Sequence, residues 1–270
     1  MHFLRCRSAA RHHLTAILAL GVLAAVTSAR ADYPVAPDVV VFCEPTLRHA
    51  VADLAVLWRR ETQVPVRIFA SPTPLMLEQI AHHARDDVVI GQGDKEADAA
   101  ARQNLIKPET VERLWRNRLV VATLRAGIGH AGSGSPPAAD NLATLAGKAP
   151  IAIVDPWAAS AGADTKQALQ ALGLWPAVSG KSIGVVGAAD AAYLLSHGKV
   201  RLAIVYATDV AANPNFVITD RLPDASYRPI VYWAAQTAHA LSPNAAKFVA
   251  LLRQAQAQRR ARADGLEVLP

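Results

Sequence analysis

The chain has 270 residues, 52% of them hydrophobic and 19% charged, with a formal net charge of +6. That length and composition exclude a disordered chain and suffice for two modest lobes or one large domain. The positive excess is no nucleic-acid signature, because no basic stripe is present and four of the arginines lie in the first 31 residues.

Those first residues read as a secretory signal rather than as part of the fold. Arg5, Arg7 and Arg11 make a basic start, and residues 14–26 form an apolar run too short for a comfortable membrane span. Ala29-Arg30-Ala31 then gives a small-residue cleavage pattern before Asp32. Removing residues 1–31 leaves 239 of the 270, takes the net charge to +2 and leaves Cys43 as the single thiol. An exported chain with one cysteine has no internal disulfide, so apolar burial must hold it together.

The mature part alternates strands and helices. Residues 39–42 (VVVF) predict a buried strand, broken at Glu44-Pro45-Thr46. A helix over 47–60 follows, with Leu47, Val51, Leu54, Leu57 and Trp58 at helical spacing. Residues 64–70 predict the next strand. Ser71-Pro72-Thr73-Pro74 breaks it, and a helix runs on through Leu75, Ile80 and His83. Residues 87–90 predict a further apolar strand, Asp94-Lys95-Glu96 a solvated turn, and 107–115 a short helix. Residues 119–124 form a strand and a candidate crossover into a second lobe. A Gly/Ser/Pro-rich loop spans 127–138, and one helical turn fits 141–146. Then come a strand at 151–154, a loop of small residues to Gly162, and a helix whose apolar side holds Ala168, Leu169, Leu172 and Leu174. Strands at 183–186 and 202–206 flank a helix at 188–196, and 213–218 leads into another strand. Residues 229–235 suggest the return crossover, and 244–262 a final helix. The Arg/Gln-rich stretch 253–262 reads as a solvated face, or as a docking surface for a partner protein. Such alternation predicts a mostly parallel sheet covered on both faces.

Four breaks carry the chemistry: Glu44-Pro45-Thr46, Ser71-Pro72-Thr73, Ser160-Ala161-Gly162 and Gly187-Ala188, each between a strand and a helix. The first turn of a helix leaves N–H groups without partners and carries partial positive charge. Such groups, with hydroxyls beside them, suit a fully ionised oxyanion. The bland alternatives are an ordinary strand–helix loop, Thr46 as a helix cap, Tyr206 as a core tyrosine and Cys43 as a small apolar residue. His82 and His83 are adjacent and so face different ways on a helix, which makes them a poor metal pair. No G-x-S-x-G elbow, H-E-x-x-H or P-loop is present, so no enzyme is read here.

The segments VFCEPTLRHAVADLAVLWRRETQVPV, DDVVIGQGD, NRLVVATLRAG, VDPWAASAGADTKQALQALGLW and LAIVYATDV occur in this order over most of residues 38–235. On them the chain resembles the periplasmic molybdate-binding proteins of ABC importers. The resemblance implies an α/β, type II periplasmic-binding-protein-like fold, with two α/β lobes joined by two crossing strands. Residues 36–117 plus 233–270 would make the first lobe and 118–232 the second. It implies a monomeric periplasmic receptor that holds molybdate or tungstate between the lobes through uncharged donors and passes it to a permease in the inner membrane. No cofactor and no metal-ion ligand is implied. Thr46 stands where the family has a ligand serine. Ala161 and Ala188 match positions that bind through backbone N–H, and Tyr206 matches a tyrosine whose phenol reaches the ligand. Two departures are visible. Pro72 brings neither N–H nor hydroxyl to its segment, so Ser71 or Thr73 would serve there. Glu44 would bring a carboxylate close to an anion. A receptor of the same fold for another anion or a small organic solute is the alternative, and an enzyme on this scaffold a more distant one.

Overall fold

The computed structural model describes residues 38–125, Leu142 and residues 150–270; the signal segment, the 127–138 loop and, Leu142 apart, the 141–146 turn lie outside the described residues. Among these, two mixed sheets carry helices on their faces. The first sheet is built from β1 (Val39–Cys43), β2 (Val66–Ala70), β3 (Val88–Gln92), β4 (Glu112–Asn117), β10 (Ile230–Gln236) and β11 (Glu267–Val268), in the order β11-β4-β10-β3-β1-β2. The second is built from β5 (Leu119–Leu124), β6 (Ile151–Val154), β7 (Ser182–Val185), β8 (Leu202–Tyr206) and β9 (Phe216–Arg221), in the order β7-β6-β8-β5-β9.

Each sheet holds a parallel trio, β2-β1-β3 in one and β7-β6-β8 in the other, with antiparallel strands beside it. The expectation of a mostly parallel arrangement is therefore corrected. β10 runs against both β3 and β4, and β5 runs against both β8 and β9. Within the trios, β1, β6 and β8 are buried along their whole length, while β2 alternates in exposure and β7 is mostly half-buried or exposed. A strand covered on both faces has no polar side, which is why these three were legible as unbroken apolar runs.

Helices fill the crossovers: α1 (Arg48–Thr62), α2 (Thr73–Ala81), α3 (Asp94–Arg102), α4 (Ser160–Ala171), α5 (Trp175–Ser179), α6 (Ala188–Ser196), α7 (Ala207–Ala211), α8 (Ala245–Leu252) and α9 (Ala255–Ala263). α1 buries Val51, Leu54 and Trp58, and the Trp58 ring meets Phe248 of α8 edge-on at 5.5 Å.

Three local expectations are corrected. Residues 107–115 do not form a helix. A single 3-10 turn at Pro108–Thr110 leads into β4, whose Leu114 and Trp115 are buried between β10 and β11. Asp94-Lys95-Glu96 is not a solvated turn but the start of α3. Gly93 precedes it at φ +92°, and its acidic residues Asp94 and Glu96 lie where the helix dipole favours negative charge. The final helix is two helices, because Gln254 adopts an extended conformation between α8 and α9. Gln258 secures the break, with Nε2 donating to the Leu252 carbonyl at 2.5 Å and Oε1 accepting from Trp115 Nε1 at 3.1 Å.

The chain passes between the sheets at Asn117-Arg118-Leu119 and returns between Arg221 and Ile230. Arg118 ties both passages down: it ion-pairs with Asp224 on the return segment and with Glu267 of β11. No helix among the described residues is long and apolar enough to cross a membrane.

Candidate functional site

All six residues singled out in the sequence fall at the carboxyl ends of the two parallel trios. Thr46 follows β1, Ser71 and Thr73 follow β2, Ala161 follows β6, Ala188 follows β7, and Tyr206 closes β8. That edge is where ligands bind in open α/β sheets, since the helices that follow point their N-terminal N–H groups at it. Ala161 is the second residue of α4 and Ala188 the first of α6, so both N–H groups belong to first turns.

The loop before α4 owes its shape to Asp155 and Gly162. Asp155 Oδ1 accepts the Trp157 N–H at 2.7 Å. A Cβ on Gly162 would stand 2.3 Å from the Asp155 carbonyl oxygen and 2.6 Å from that of Val154. The Ala161-Gly162 pair thus places an N–H on the edge while the strand's own backbone passes too close for any side chain.

Side chains from both sheets meet in two hydrogen-bond networks. In the first, the Thr73 hydroxyl donates to Glu44 Oε1 at 2.5 Å, and the Thr73 N–H donates to the same oxygen at 2.7 Å. The Thr73 hydroxyl in turn accepts the Gln92 N–H at 2.8 Å. Gln92 Nε2 reaches across to Asp164 Oδ2 at 3.4 Å, and the Tyr206 phenol donates to that same oxygen at 2.6 Å. In the second network the Thr46 hydroxyl pairs with the Tyr232 phenol at 3.0 Å. Asn117 Nδ2 donates both to Tyr232 at 3.1 Å and to Thr208 Oγ1 at 3.0 Å. Thr46 is therefore no helix cap, since no side chain caps α1.

Of the two candidates flanking Pro72, Thr73 enters the network. Ser71 donates its N–H to the Cys43 carbonyl at 3.1 Å, extending the β1–β2 ladder. Pro72 itself is the N-cap of α2, extended and exposed.

Glu44 and Asp164 set the electrostatics. Glu44 is 3% exposed. Burial pushes its carboxyl upward, the Thr73 hydroxyl and N–H pull it back, and the charges of Asp164 and Glu96 push it up again. Burial also raises Asp164, against the hydrogen bonds from Tyr206 and Gln92 and the charge of Arg228. The Tyr206 phenol is held well above its ordinary value, chiefly by burial, so it is a donor at any ordinary pH. Two unit charges ~4 Å apart repel by about 4 kcal/mol at an effective dielectric constant of ~20. That penalty is what an anion here would meet from each ionised carboxylate at that distance. Cys43, next to Glu44, is buried and its thiol is pushed up to about 12, so it packs as an apolar residue.

Sequence reasoning named the hydroxyl and N–H donors but missed Gln92, Asn117, Asp164 and Tyr232. Asp164 had a signal, because it lies three residues after Ala161 on one helix and so shares its face. The other three sit inside or at the ends of strands, where pattern marks burial and not chemistry. Elsewhere among the described residues, ligand atoms of His49, Asp53 and Asp264 lie within 4.8 Å of one another, but Arg260 already ion-pairs with both aspartates.

Comparison with known proteins gives a consistent result. A family model described as bacterial extracellular solute-binding protein matches residues 39–267. The molybdate-binding protein ModA of Escherichia coli (strain K12) is 27% identical over 194 residues, covering 72% of this chain and 75% of that protein. The substrate-binding domain of a putative molybdenum ABC transporter from Clostridium difficile superposes with a TM-score of 0.72 at 19% identity, covering 86% of this chain and 99% of the other. The periplasmic molybdate-binding protein of Azotobacter vinelandii superposes with a TM-score of 0.69 at 20% identity, with the same coverage. These likenesses give the fold: the expected type II periplasmic-binding architecture is the observed one.

Proposed function

We propose that this chain, which belongs to the bacterial extracellular solute-binding protein family, captures a tetrahedral oxyanion of the molybdate and tungstate kind at the carboxyl edges of its two parallel trios. The family is one of binding proteins of ABC importers rather than of enzymes. The observation that carries the reading is the convergence of donors from both sheets: Thr73 and Gln92 of the first reach the same hydrogen-bond network as Tyr206 of the second. The N–H groups of Ala161 and Ala188 add two donors from helix first turns. Thr46 adds a hydroxyl from the first sheet and Ser71 a second one at the α2 entrance.

In this reading residues 36–117 plus 233–270 act as one lobe and 118–232 as the other, with the passages at Asn117–Leu119 and before Ile230 as the hinge. An anion that touches both lobes stabilises the closed form, since it binds that form better than the open one. The loaded, monomeric protein then delivers the anion to an ABC permease. The basic, apolar start of the chain exports it, and cleavage after Ala31 releases it to the periplasm.

A thermal-melt series on the mature protein tests this, apo against molybdate, tungstate, sulfate, phosphate and chromate. A ligand present at ~100 times its dissociation constant adds about 2.7 kcal/mol to folded-state stability. For a domain of this size that is a rise of roughly 5–10 °C. A rise with one or more of these anions is expected, and a cooperative melt that no oxyanion moves would sink the proposal.

A further inference from the structure

The donors that the oxyanion reading assigns to the ligand are already in use. Thr73 gives both its hydroxyl and its N–H to one oxygen of Glu44, and Tyr206 gives its phenol to Asp164. Ionised carboxylates are acceptors only, and so is a fully ionised tetrahedral anion. When such an anion takes these donors, its oxygens and the two carboxylates meet with no hydrogen between them. Gln92 adds a third acceptor, for its Oε1 is buried without a partner.

Resting on the oxyanion reading, we infer that Glu44 and Asp164 are specificity-determining residues, and that an oxyanion occupies this site only together with a proton shared between one of its oxygens and one of these carboxyls. No bond to the anion's central atom forms or breaks. The proton has two sources. Hydrogen phosphate carries its own and needs none from water. Molybdate, fully ionised at neutral pH, has to take one from solvent, which lodges in the O–H···O contact with Glu44 or Asp164.

The surroundings favour that proton. Glu44 faces Thr73 of α2, Glu96 of α3, Asp164 of α4 and the Tyr232 phenol of β10. Asp164 faces Gln92 of β3, Tyr206 of β8 and, as the one cation acting on it, Arg228 before β10. Around Glu44 the charged neighbours are acidic, whereas at Asp164 the Arg228 charge opposes the shift. Glu44 is buried and Asp164 half-buried, and burial is the largest influence on both, raising each towards the protonated form.

The test is calorimetric titration of the mature protein with sodium molybdate and with inorganic phosphate at pH 6, 7 and 8, in buffers of different ionisation enthalpy. Uptake of about one proton per molybdate is expected, with affinity falling about tenfold per pH unit, the slope of one linked proton. Phosphate is expected to bind at pH 8 with no proton taken up, and phosphate binding in preference to molybdate at pH 8 is a supporting result. Glu44→Gln combined with Asp164→Asn supplies amide donors in place of the acceptors. It is expected to abolish the uptake and to tighten molybdate binding at pH 8 at least tenfold. If that pair does not fold, at least one of the two single substitutions, Glu44→Gln or Asp164→Asn, has to lower the uptake on its own. Tight molybdate binding by the wild-type protein with no proton uptake and no pH slope overturns the inference and leaves the oxyanion reading standing. Proton uptake unchanged in the substituted proteins overturns the assignment to these residues. No binding of either anion, by any of the proteins at any pH, overturns both.

Discussion

The phenol of Tyr206, at the end of β8 in the second sheet, donates to Oδ2 of Asp164 on α4, and the same carboxylate oxygen is reached by Gln92 from β3 in the first sheet. One aspartate thus joins the two sheets at the edge formed by the carboxyl ends of the parallel trios. Tyr206→Phe removes the hydroxyl donor of this ring while keeping its packing. A buried hydrogen bond contributes about 1–2 kcal/mol, so oxyanion affinity is expected to fall roughly 5–30-fold with the far-UV spectrum unchanged. Unaltered affinity by calorimetry would remove Tyr206 from the ligand set.

Thr73 holds a buried carboxylate and a strand-end N–H through one hydroxyl. Thr73→Val keeps the shape but leaves Glu44 short of a donor and the Gln92 N–H without its acceptor. Unsatisfied buried groups cost about 1–3 kcal/mol each, so urea unfolding is expected to show a loss in that range. Thr73→Ser is expected to recover most of it, because the hydroxyl and not the methyl is the working group. Equal losses in the two variants would mean that the Thr73 methyl, which lies beside Gly91, matters as much as the hydroxyl.

Gly162 is needed for closeness, not for an unusual backbone angle. A Cβ there meets two carbonyl oxygens of the preceding strand end, and neither can swing aside as a side chain would. Gly162→Ala is expected to lower stability by about 1–3 kcal/mol, the usual cost of overpacking. It should also weaken anion binding, since the adjacent Ala161 N–H shifts with the loop. A melt at the wild-type temperature would contradict this.

How much of this was readable in advance follows from the physics of each element. β1, β6 and β8 were legible because strands buried on both faces need unbroken apolar sequence. β4 was not, because its charged Glu112, Arg113 and Arg116 gave no apolar run, and its partners β10 and β11 lie more than a hundred residues on. α3 was missed because its buried face is made of Ala97 and Ala100, too small to give a periodic apolar signal. The hydroxyls and helix starts of the site could be listed from turn chemistry. That Thr73 and not Ser71 enters the network, and that Tyr232 turns its phenol to Thr46, depended on pairings across the sheet that local pattern does not encode.

Asp209 gives the pH dependence of folding a definite sign. Burial raises its carboxyl from 3.8 to about 6, although the Tyr206 N–H it accepts works the other way. The folded state therefore binds this proton more tightly than the unfolded chain does. The resulting stabilisation is complete below pH ~4 and is lost as pH rises through about 6. Its full size is about 3 kcal/mol, from a difference of roughly two pKa units. Asp209→Asn keeps an acceptor for the Tyr206 N–H and removes the titration. The wild type is expected to gain stability relative to this variant as pH is lowered from 7.5 to 5. A constant difference across that range would count against the buried-acid account.

The central claim, that an oxyanion sits where the two parallel trios meet, is tested most directly by crystallising the mature protein with molybdate and collecting diffraction at the molybdenum absorption edge. The account predicts one strong anomalous peak within hydrogen-bonding reach of the Ala161 and Ala188 N–H groups, the Thr73 hydroxyl and the Tyr206 phenol. A saturated crystal whose only peaks lie elsewhere, for instance on the exposed arginines of α9, would contradict it.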